Sequence, residues 1–139
     1  MIALIRIRGK VKLREKVEET LSRLRLRKKF TCILINEKDK VKIGMLRKVE
    51  NFVAFGEIEK GTLIRLIEKR GKRKDKKEIK DAEKIAEEIE KGKKLPAELK
   101  PFFRLHPPRG GLKSSKKQFP RGVLGNHRKE INKLIEKML

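Results

Sequence analysis

An excess of positive charge constrains this chain more than any other feature of its sequence. Lysine and arginine number 41 among 139 residues, against 19 aspartates and glutamates, which gives a formal net charge of +22. Mutual repulsion of that size opposes a compact fold unless a polyanion neutralises it. Because nucleic acid phosphates bind lysine and arginine with release of counterions, the charge points to a nucleic acid as the partner.

The apolar residues nevertheless predict a folded protein rather than a disordered basic tail. They make up 37% of the chain and recur in periodic segments. The charge is also uneven along the chain. Residues 1–71 carry 20 basic and 9 acidic side chains, residues 72–100 carry 11 and 8, and residues 101–139 carry 10 and 2. We therefore expect a nearly balanced helical spacer between two basic regions.

The first 58 residues alternate between strand and helix patterns. Strand patterns cover residues 2–8, 31–35 and 52–57, and helical patterns cover residues 13–24 and 44–50. This order predicts an α+β fold with a ferredoxin-like β-α-β-α-β core, its helices on one face of the sheet. The opposite face is then expected to expose Arg6 and Arg8, which alternate with the apolar residues of the first strand.

The rest of the chain predicts a helical and loop-rich extension, so we expect a core domain over residues 1–58 and an extension over 59–139. Gly71 is expected to end the first helix of the extension and Asn126 to cap its last. Helices are predicted over residues 61–70, 75–91 and 127–138, with an irregular basic stretch over residues 101–125.

Three basic segments are candidates for contacting phosphates. The first spans Arg23 to Lys29, where five cations alternate with leucines that can anchor in the core. Arginine is suited to this role because its planar fork binds phosphate oxygens in pairs and stacks on bases. The alternative is a helix end that is merely solvated.

The second segment is IGMLRKV at residues 43–49, and the third is the stretch from Phe102 to Arg121. A glycine that opens a short helix would present backbone N–H groups to a phosphate, with Arg47 and Lys48 in the same turn, although Gly44 can also be a plain turn residue. In the third segment, aromatic residues beside arginines suit stacking on unpaired bases. Phe102 and Phe103 can equally pack against the preceding helices.

Signals for catalysis are poor. Two histidines and one cysteine, Cys32 in a predicted buried strand, make neither a nucleophilic pair nor a zinc site, and there is no phosphate-binding Walker loop. We therefore expect no enzyme activity, cofactor, metal or small-molecule substrate. A single cysteine suits a reducing cytosol, and nothing in the sequence resembles a signal peptide or membrane span.

In order and spacing, several motifs of the chain resemble the archaeal large-subunit ribosomal protein L-thirty family, which is related to eukaryotic L-seven. They are IRIRG at residues 5–9, TLSRLRL at 20–26, IGMLRKV at 43–49, GEI at 56–58, LIEKRG at 66–71, RLHPPRGG at 104–111 and GNHRKEINKLIEKM at 125–138. The resemblance covers essentially the whole chain, whereas bacterial members correspond only to about residues 1–57. The long basic N-terminal arm of eukaryotic members has no counterpart here.

The resemblance implies a structural component of the large ribosomal subunit in the cytoplasm. It would bind large-subunit rRNA close to the 5S rRNA, beside neighbouring ribosomal proteins, and away from any membrane. Two other classes stay open: an RNA-modifying enzyme or nuclease, and a nucleic-acid packaging protein outside the ribosome. The residues expected to contact RNA are Arg6, Arg8, Arg23, Arg25, Arg27, Lys28, Lys29, Gly44, Met45, Arg47, Lys48, Arg104, His106, Arg109, Lys113, Lys116, Lys117, Arg121, His127 and Arg128.

Overall fold

The structure is a computed structural model that describes residues 1–9, 13–77, 79–92, 99–112 and 114–139. The described part of the chain contains six strands, five α-helices and one short 3₁₀ turn. In chain order these are β1 Ile2–Arg6, α1 Glu15–Arg23, β2 Thr31–Ile35, α2 Lys40–Val49, β3 Val53–Glu57, α3 Lys60–Arg70, α4 Ala82–Glu90, β4 Phe103–Arg104, β5 Ser114–Gln118, β6 Gly122–Asn126, the 3₁₀ turn Arg128–Glu130 and α5 Ile131–Met138.

The six strands form one sheet in the order β4-β2-β1-β3-β6-β5. In its centre β1 runs antiparallel to both neighbours, with Ile5 opposite Cys32 on β2 and opposite Ala54 on β3. This confirms the predicted α+β fold with a ferredoxin-like β-α-β-α-β core. The later strands extend the sheet at both edges: β4 pairs antiparallel with β2, and β6 pairs parallel with β3.

Helices cover both faces of the sheet. On one face α1 and α2 pack over Leu4 and Ile33, which agrees with the prediction that the helices of the core share a face. The other face carries Ala3, Ile5 and Cys32, and α3, α4 and α5 bury it. The expected open face showing Arg6 and Arg8 is therefore wrong, because the extension covers one face and Arg6 lies on the face under α1 and α2.

The second helix begins earlier than the sequence pattern predicts. It starts at Lys40, and the side chain of Asp39 caps it by accepting the N–H of Lys42 at 3.2 Å. Three of the seven residues in the polar stretch over residues 36–42 are therefore helical. Gly44 does not open the helix but lies in the middle of it, because the Asp39 cap starts the helix at Lys40.

The stretch over residues 101–125, predicted to be irregular, contributes three strands. β4 has only two residues, and its Phe103 is buried while Arg104 is exposed. β6 is buried through Val123 and Leu124 against the core. The sequence pattern does not predict these strands because they are short, polar or rich in glycine. They form because β4 pairs with β2 and β6 pairs with β3.

The predicted helix over residues 75–91 is shorter in the structure and begins at Ala82. Asp75 instead accepts the N–H of Lys77 at 3.0 Å and two bonds from Arg73, and Lys76 has a positive φ of 63°. That side-chain turn competes with the helix.

The last helix is likewise divided, because a 3₁₀ turn precedes α5. Asn126 does not cap α5 as expected. Its Oδ1 accepts the N–H of Arg128 at 2.8 Å in a side-chain turn that leads into the 3₁₀ turn.

The remaining boundaries agree with the sequence to within two residues, and Gly71 caps α3 with its N–H on the Ile67 carbonyl. The division into domains at residue 58 stays a prediction, although both segments share one sheet. No helix within the described ranges is long and apolar enough to cross a membrane.

Candidate nucleic-acid interface

Basic side chains gather at the end of the sheet where β1 finishes and where β2 and β3 begin. The antiparallel register sets this end, because Ile5 lies opposite Cys32 and Arg6 lies opposite Val53. The end of β4 joins it, with the Leu105 N–H on the Phe30 carbonyl at 2.9 Å. We call the exposed cations of this end the basic rim: Arg8, Arg25, Arg27, Lys28, Lys29, Arg47, Lys48 and Arg104.

The turn after α1 presents the first part of the basic rim. The Leu26 N–H bonds to the Leu21 carbonyl at 2.8 Å, and the Arg25 N–H bonds to the Ser22 carbonyl at 3.0 Å. This is a Schellman turn, in which Leu21 and Leu26 are buried and Arg25 occupies the left-handed position usually filled by glycine, with φ at 63°. The buried leucines fix the backbone, so the cations between and after them project outward.

The last turn of α2 supplies Arg47 and Lys48, and the Phe52 N–H returns to the Val49 carbonyl at 2.9 Å before β3 begins. Gly44 lies three and four residues earlier and therefore on the same exposed helix face. A Cβ at Gly44 would meet no atom within 4 Å. The expected phosphate site at a helix N-terminus is therefore wrong, since Gly44 is in the middle of α2. The open backbone at Gly44 instead permits close approach from outside.

Three cations of the basic rim lie over phenylalanine rings. Arg8 is 5.5 Å from the centre of the Phe52 ring, and Arg104 is 5.6 Å from that of Phe102. Lys29 is likewise 5.8 Å from the centre of its neighbour's ring, Phe30. Such stacking restricts the cation and leaves a flat, charged surface suited to a base or a phosphate.

The sequence interpretation missed two of these rings. Phe30 directly follows Lys28 and Lys29, so the adjacency was available as a signal. Phe52 stands 44 residues from Arg8 in the chain, and only the pairing of β1 with β3 brings the two together.

A cleft of about 90 Å³ opens in the basic rim between the Schellman turn and β4. Its lining residues are Arg25, Arg27, Lys28, Thr31, Phe102 and Arg104. Among the described residues, no carboxylate forms a salt bridge with any cation of the basic rim. The cleft thus brings the basic segment Arg23 to Lys29 beside the start of the segment Phe102 to Arg121. Its positive charge is available to bind an external anion.

The structure places the other predicted residues outside the basic rim. Arg23 is exposed but bonds to Glu19 at 2.6 Å, and Met45 is half-buried against the core. Arg109 follows β4 and bonds through its N–H to the Lys137 carbonyl. The ring nitrogens of His106, which also follows β4, lie 2.7 Å from the Pro107 carbonyl and 2.5 Å from the backbone oxygen of Leu139.

The basic residues of the sheet's other edge are exposed as well. Lys116 and Lys117 lie on β5, and Arg121 lies in the turn between β5 and β6. Gln118 Nε2 donates to Asn51 Oδ1 at 3.2 Å, which brings the end of β5 beside the turn after α2. Lys113 lies outside the described residues.

Two predicted contacts are corrected by burial. The Arg6 side chain is 1% exposed, with Nε bonded to the Arg8 carbonyl at 2.9 Å and Nη1 to the Leu26 carbonyl at 2.7 Å. His127 is 6% exposed, with Nε2 at the Val123 carbonyl and its ring 4.4 Å from that of Phe119. Neither side chain is presented to a partner. Arg128 is exposed, but it lies beyond β6 at the other end of β3.

Among the described residues, neither a reactive cysteine nor a metal-binding cluster is present. Complete burial raises the pKa of the Cys32 thiol to about 12, so it stays a neutral thiol rather than a nucleophile. No three metal-binding side chains cluster within the described ranges. The candidate functional site among the described residues is therefore the basic rim, in which three exposed cations lie over phenylalanine rings.

Comparison with known proteins identifies the family. The model of the family described as ribosomal protein L30p/L7e matches residues 2–53. The large ribosomal subunit protein uL30 of Archaeoglobus fulgidus is 40% identical, over 99% of both chains. The protein of the same name from Desulfurococcus amylolyticus is 41% identical, over 100% of this chain and 98% of its own length. The chain therefore belongs to the L30p/L7e family of ribosomal proteins, as its sequence motifs indicated.

Proposed function

We propose that this protein is a structural constituent of the large ribosomal subunit in the cytoplasm and that it binds large-subunit rRNA through the basic rim. Its full-length relatives carry the name of a large-subunit protein, which supports the assignment to the ribosome. The observation that carries the RNA-binding proposal is the assembly of eight exposed cations at one end of the sheet without carboxylate partners among the described residues. The protein acts as a scaffold and catalyses no reaction.

The mechanism is electrostatic and geometric. Cations of the basic rim neutralise phosphates and release counterions, which supplies most of the affinity. The sheet and the Schellman turn fix where those cations point, so they select an RNA surface of matching shape. The cation-supporting rings of Phe52 and Phe102 offer platforms against which an unpaired base or sugar can pack.

A salt series in a filter-binding assay with rRNA fragments tests the proposal. If about six phosphates are neutralised, the logarithm of the binding constant should fall with the logarithm of salt concentration with a slope of about −4 to −5. A flat response to salt would contradict it. Competition with duplex DNA separates this function from nucleic-acid packaging, because a packaging protein would bind both with similar affinity.

A pair of charge-matched variants locates the interface. Arg27→Gln with Arg47→Gln removes two cations of the basic rim, and Lys69→Gln with Lys84→Gln removes two exposed cations from α3 and α4. The first pair should reduce the salt slope by about two, and the second should leave it nearly unchanged. Equal losses would show that net charge alone drives binding and that the basic rim is not the interface.

Incorporation into ribosomes tests the functional assignment in the cell. We expect the protein to sediment with large subunits in a sucrose gradient. Charge reversal at Arg25, Arg27, Arg47 and Arg104 to glutamate should impair this without loss of the folded circular dichroism spectrum. Proximity to the 5S rRNA, which the family resemblance suggests, would be tested by crosslinking within purified subunits, where absence of crosslinks to 5S rRNA would count against it.

A further inference from the structure

Among the described residues, Arg6 is a large charged side chain that is almost completely buried. The residue is 1% exposed, yet no carboxylate within the described ranges forms a salt bridge with its guanidinium. Burial lowers its pKa, an effect that Glu18 partly opposes. Burying an unpaired charge is costly, and an apolar side chain of similar length often serves stability equally well or better. A role in stability alone therefore does not account for an arginine here.

The polar contacts of Arg6 connect two backbone segments, the end of β1 with Arg8 and the stretch from Leu26 to Phe30. Its Nε donates to the Arg8 carbonyl, and its Nη1 donates to the carbonyl of Leu26 in the Schellman turn. Its own carbonyl accepts the N–H of Phe30 at 2.7 Å. Nη2 is buried without a hydrogen-bond partner in the described structure. The planar fork is therefore used to hold backbone carbonyls rather than to balance a charge.

Each of the segments that Arg6 holds carries or adjoins cations of the basic rim. Arg8 itself lies in one of them, and Lys28 and Lys29 lie between Leu26 and Phe30. The chain from Leu26 to Phe30 belongs to no helix or strand, so its order depends on the buried Leu26 and on these hydrogen bonds. If a segment must become ordered during binding, the conformational entropy that it loses opposes binding and lowers the affinity of the protein for RNA.

We propose that Arg6 is a positioning residue, which holds the Arg8 segment and the Leu26–Phe30 segment in the arrangement that binds RNA phosphates. Arg6 itself does not touch the RNA. This inference rests on the proposed function, since it concerns how the basic rim is prepared for rRNA. The sequence predicted that Arg6 contacts RNA directly, and the positioning role replaces that prediction.

Salt dependence distinguishes a positioning residue from a contact. Arg8 lies two residues further along the chain and is exposed, so Arg8→Met is the matched control. Arg6→Met and Arg6→Lys should each weaken binding to the rRNA fragment about tenfold with an unchanged salt slope, since no phosphate contact is lost. Arg6→Lys is informative because it retains the charge, but a lysine cannot offer the same rigid fork. Arg8→Met should reduce the slope by about one.

Hydrogen exchange supplies a second measurement that does not involve RNA. Amide exchange between Leu26 and Phe30 should become faster in both Arg6 variants and remain as in the wild type in Arg8→Met, with circular dichroism confirming that each variant is folded. If Arg6→Met does not fold, the binding and hydrogen exchange of Arg6→Lys alone test the positioning role. Failure of both to fold would make Arg6 a core residue and overturn the inference.

Three further outcomes separate the possibilities. Wild-type affinity and exchange in the Arg6 variants would overturn the positioning role. A slope reduced by about one in Arg6→Met would show that Arg6 is a direct contact. Absence of binding by the wild-type protein to any rRNA fragment would instead refute the proposed function on which the inference depends.

Discussion

Replacing Gly44 with alanine should stabilise the protein while weakening its binding to rRNA. Gly44 is the fifth of ten residues in α2, and a Cβ there would meet no atom within 4 Å, so the substitution introduces no clash. Alanine is favoured over glycine inside a helix by about 1 kcal/mol. For 139 residues the unfolding entropy is about 0.3 kcal/mol/K, so Tm should rise by about 3 °C.

The same methyl group would lie on the face that Gly44 shares with Arg47 and Lys48. If an RNA backbone approaches this face closely, the methyl group holds it away, and the affinity falls while the stability rises. Differential scanning calorimetry measures the first effect and filter binding the second. Gly61→Ala is the control, because Gly61 is also exposed and unobstructed but lies in the first turn of α3, which follows the opposite end of β3.

Gly61→Ala should raise Tm by a smaller amount and leave the affinity unchanged. An unchanged Tm in Gly44→Ala would refute the helix argument. Unchanged affinity would refute the close approach of RNA at this position.

The fold makes further predictions. In Gly56→Ala, the new Cβ would lie 2.9 Å from Ile131 and closer still to the Arg128 carbonyl, so the free energy of unfolding measured in urea should fall by roughly 1–3 kcal/mol. A stability equal to wild type would show that β3 and α5 are not in close contact. The Cys32 thiol should resist Ellman's reagent at pH 8 until the protein is unfolded, because it is fully buried. Its pKa of about 12 in the folded state, against an ordinary value of 9.0, means that the unfolded chain loses this proton first. The stabilising contribution is therefore present below pH 9 and declines towards pH 12 by about 1.4 kcal/mol per pH unit, and a Cys32→Ala variant should lack this part of the pH dependence.

The core was predictable because its signals are local. The alternation of Ala3, Ile5 and Ile7 predicts that one face of the first strand packs against a core, and all three residues are buried there. The bounds predicted for β2 from its β-branched and apolar residues are confirmed at both ends. Apolar periodicity reports secondary structure directly, since each element must bury one face. The cationic run from Arg23 to Lys29 was likewise visible, because its charges are neighbours in the sequence.

The site was only partly predictable because it is assembled from distant segments. Arg104 approaches Arg27 only because β4 pairs with β2, and Phe52 supports Arg8 only because β3 pairs with β1. A short strand such as β4 has no pattern of its own. It exists because an open strand edge offers hydrogen-bond partners, and no local window of sequence contains that information.

By itself, the sequence determined that this chain folds around a small α+β core, that it carries a charge suited to a nucleic acid, and that it resembles its ribosomal family. Only the tertiary structure decided which cations face outward. Arg6 and Arg8 are two residues apart and look equivalent in the sequence, yet the turn after α1 closes over Arg6 and leaves Arg8 exposed. The difference arises because burial depends on what packs from elsewhere in the chain, whereas charge and periodicity depend only on neighbouring residues.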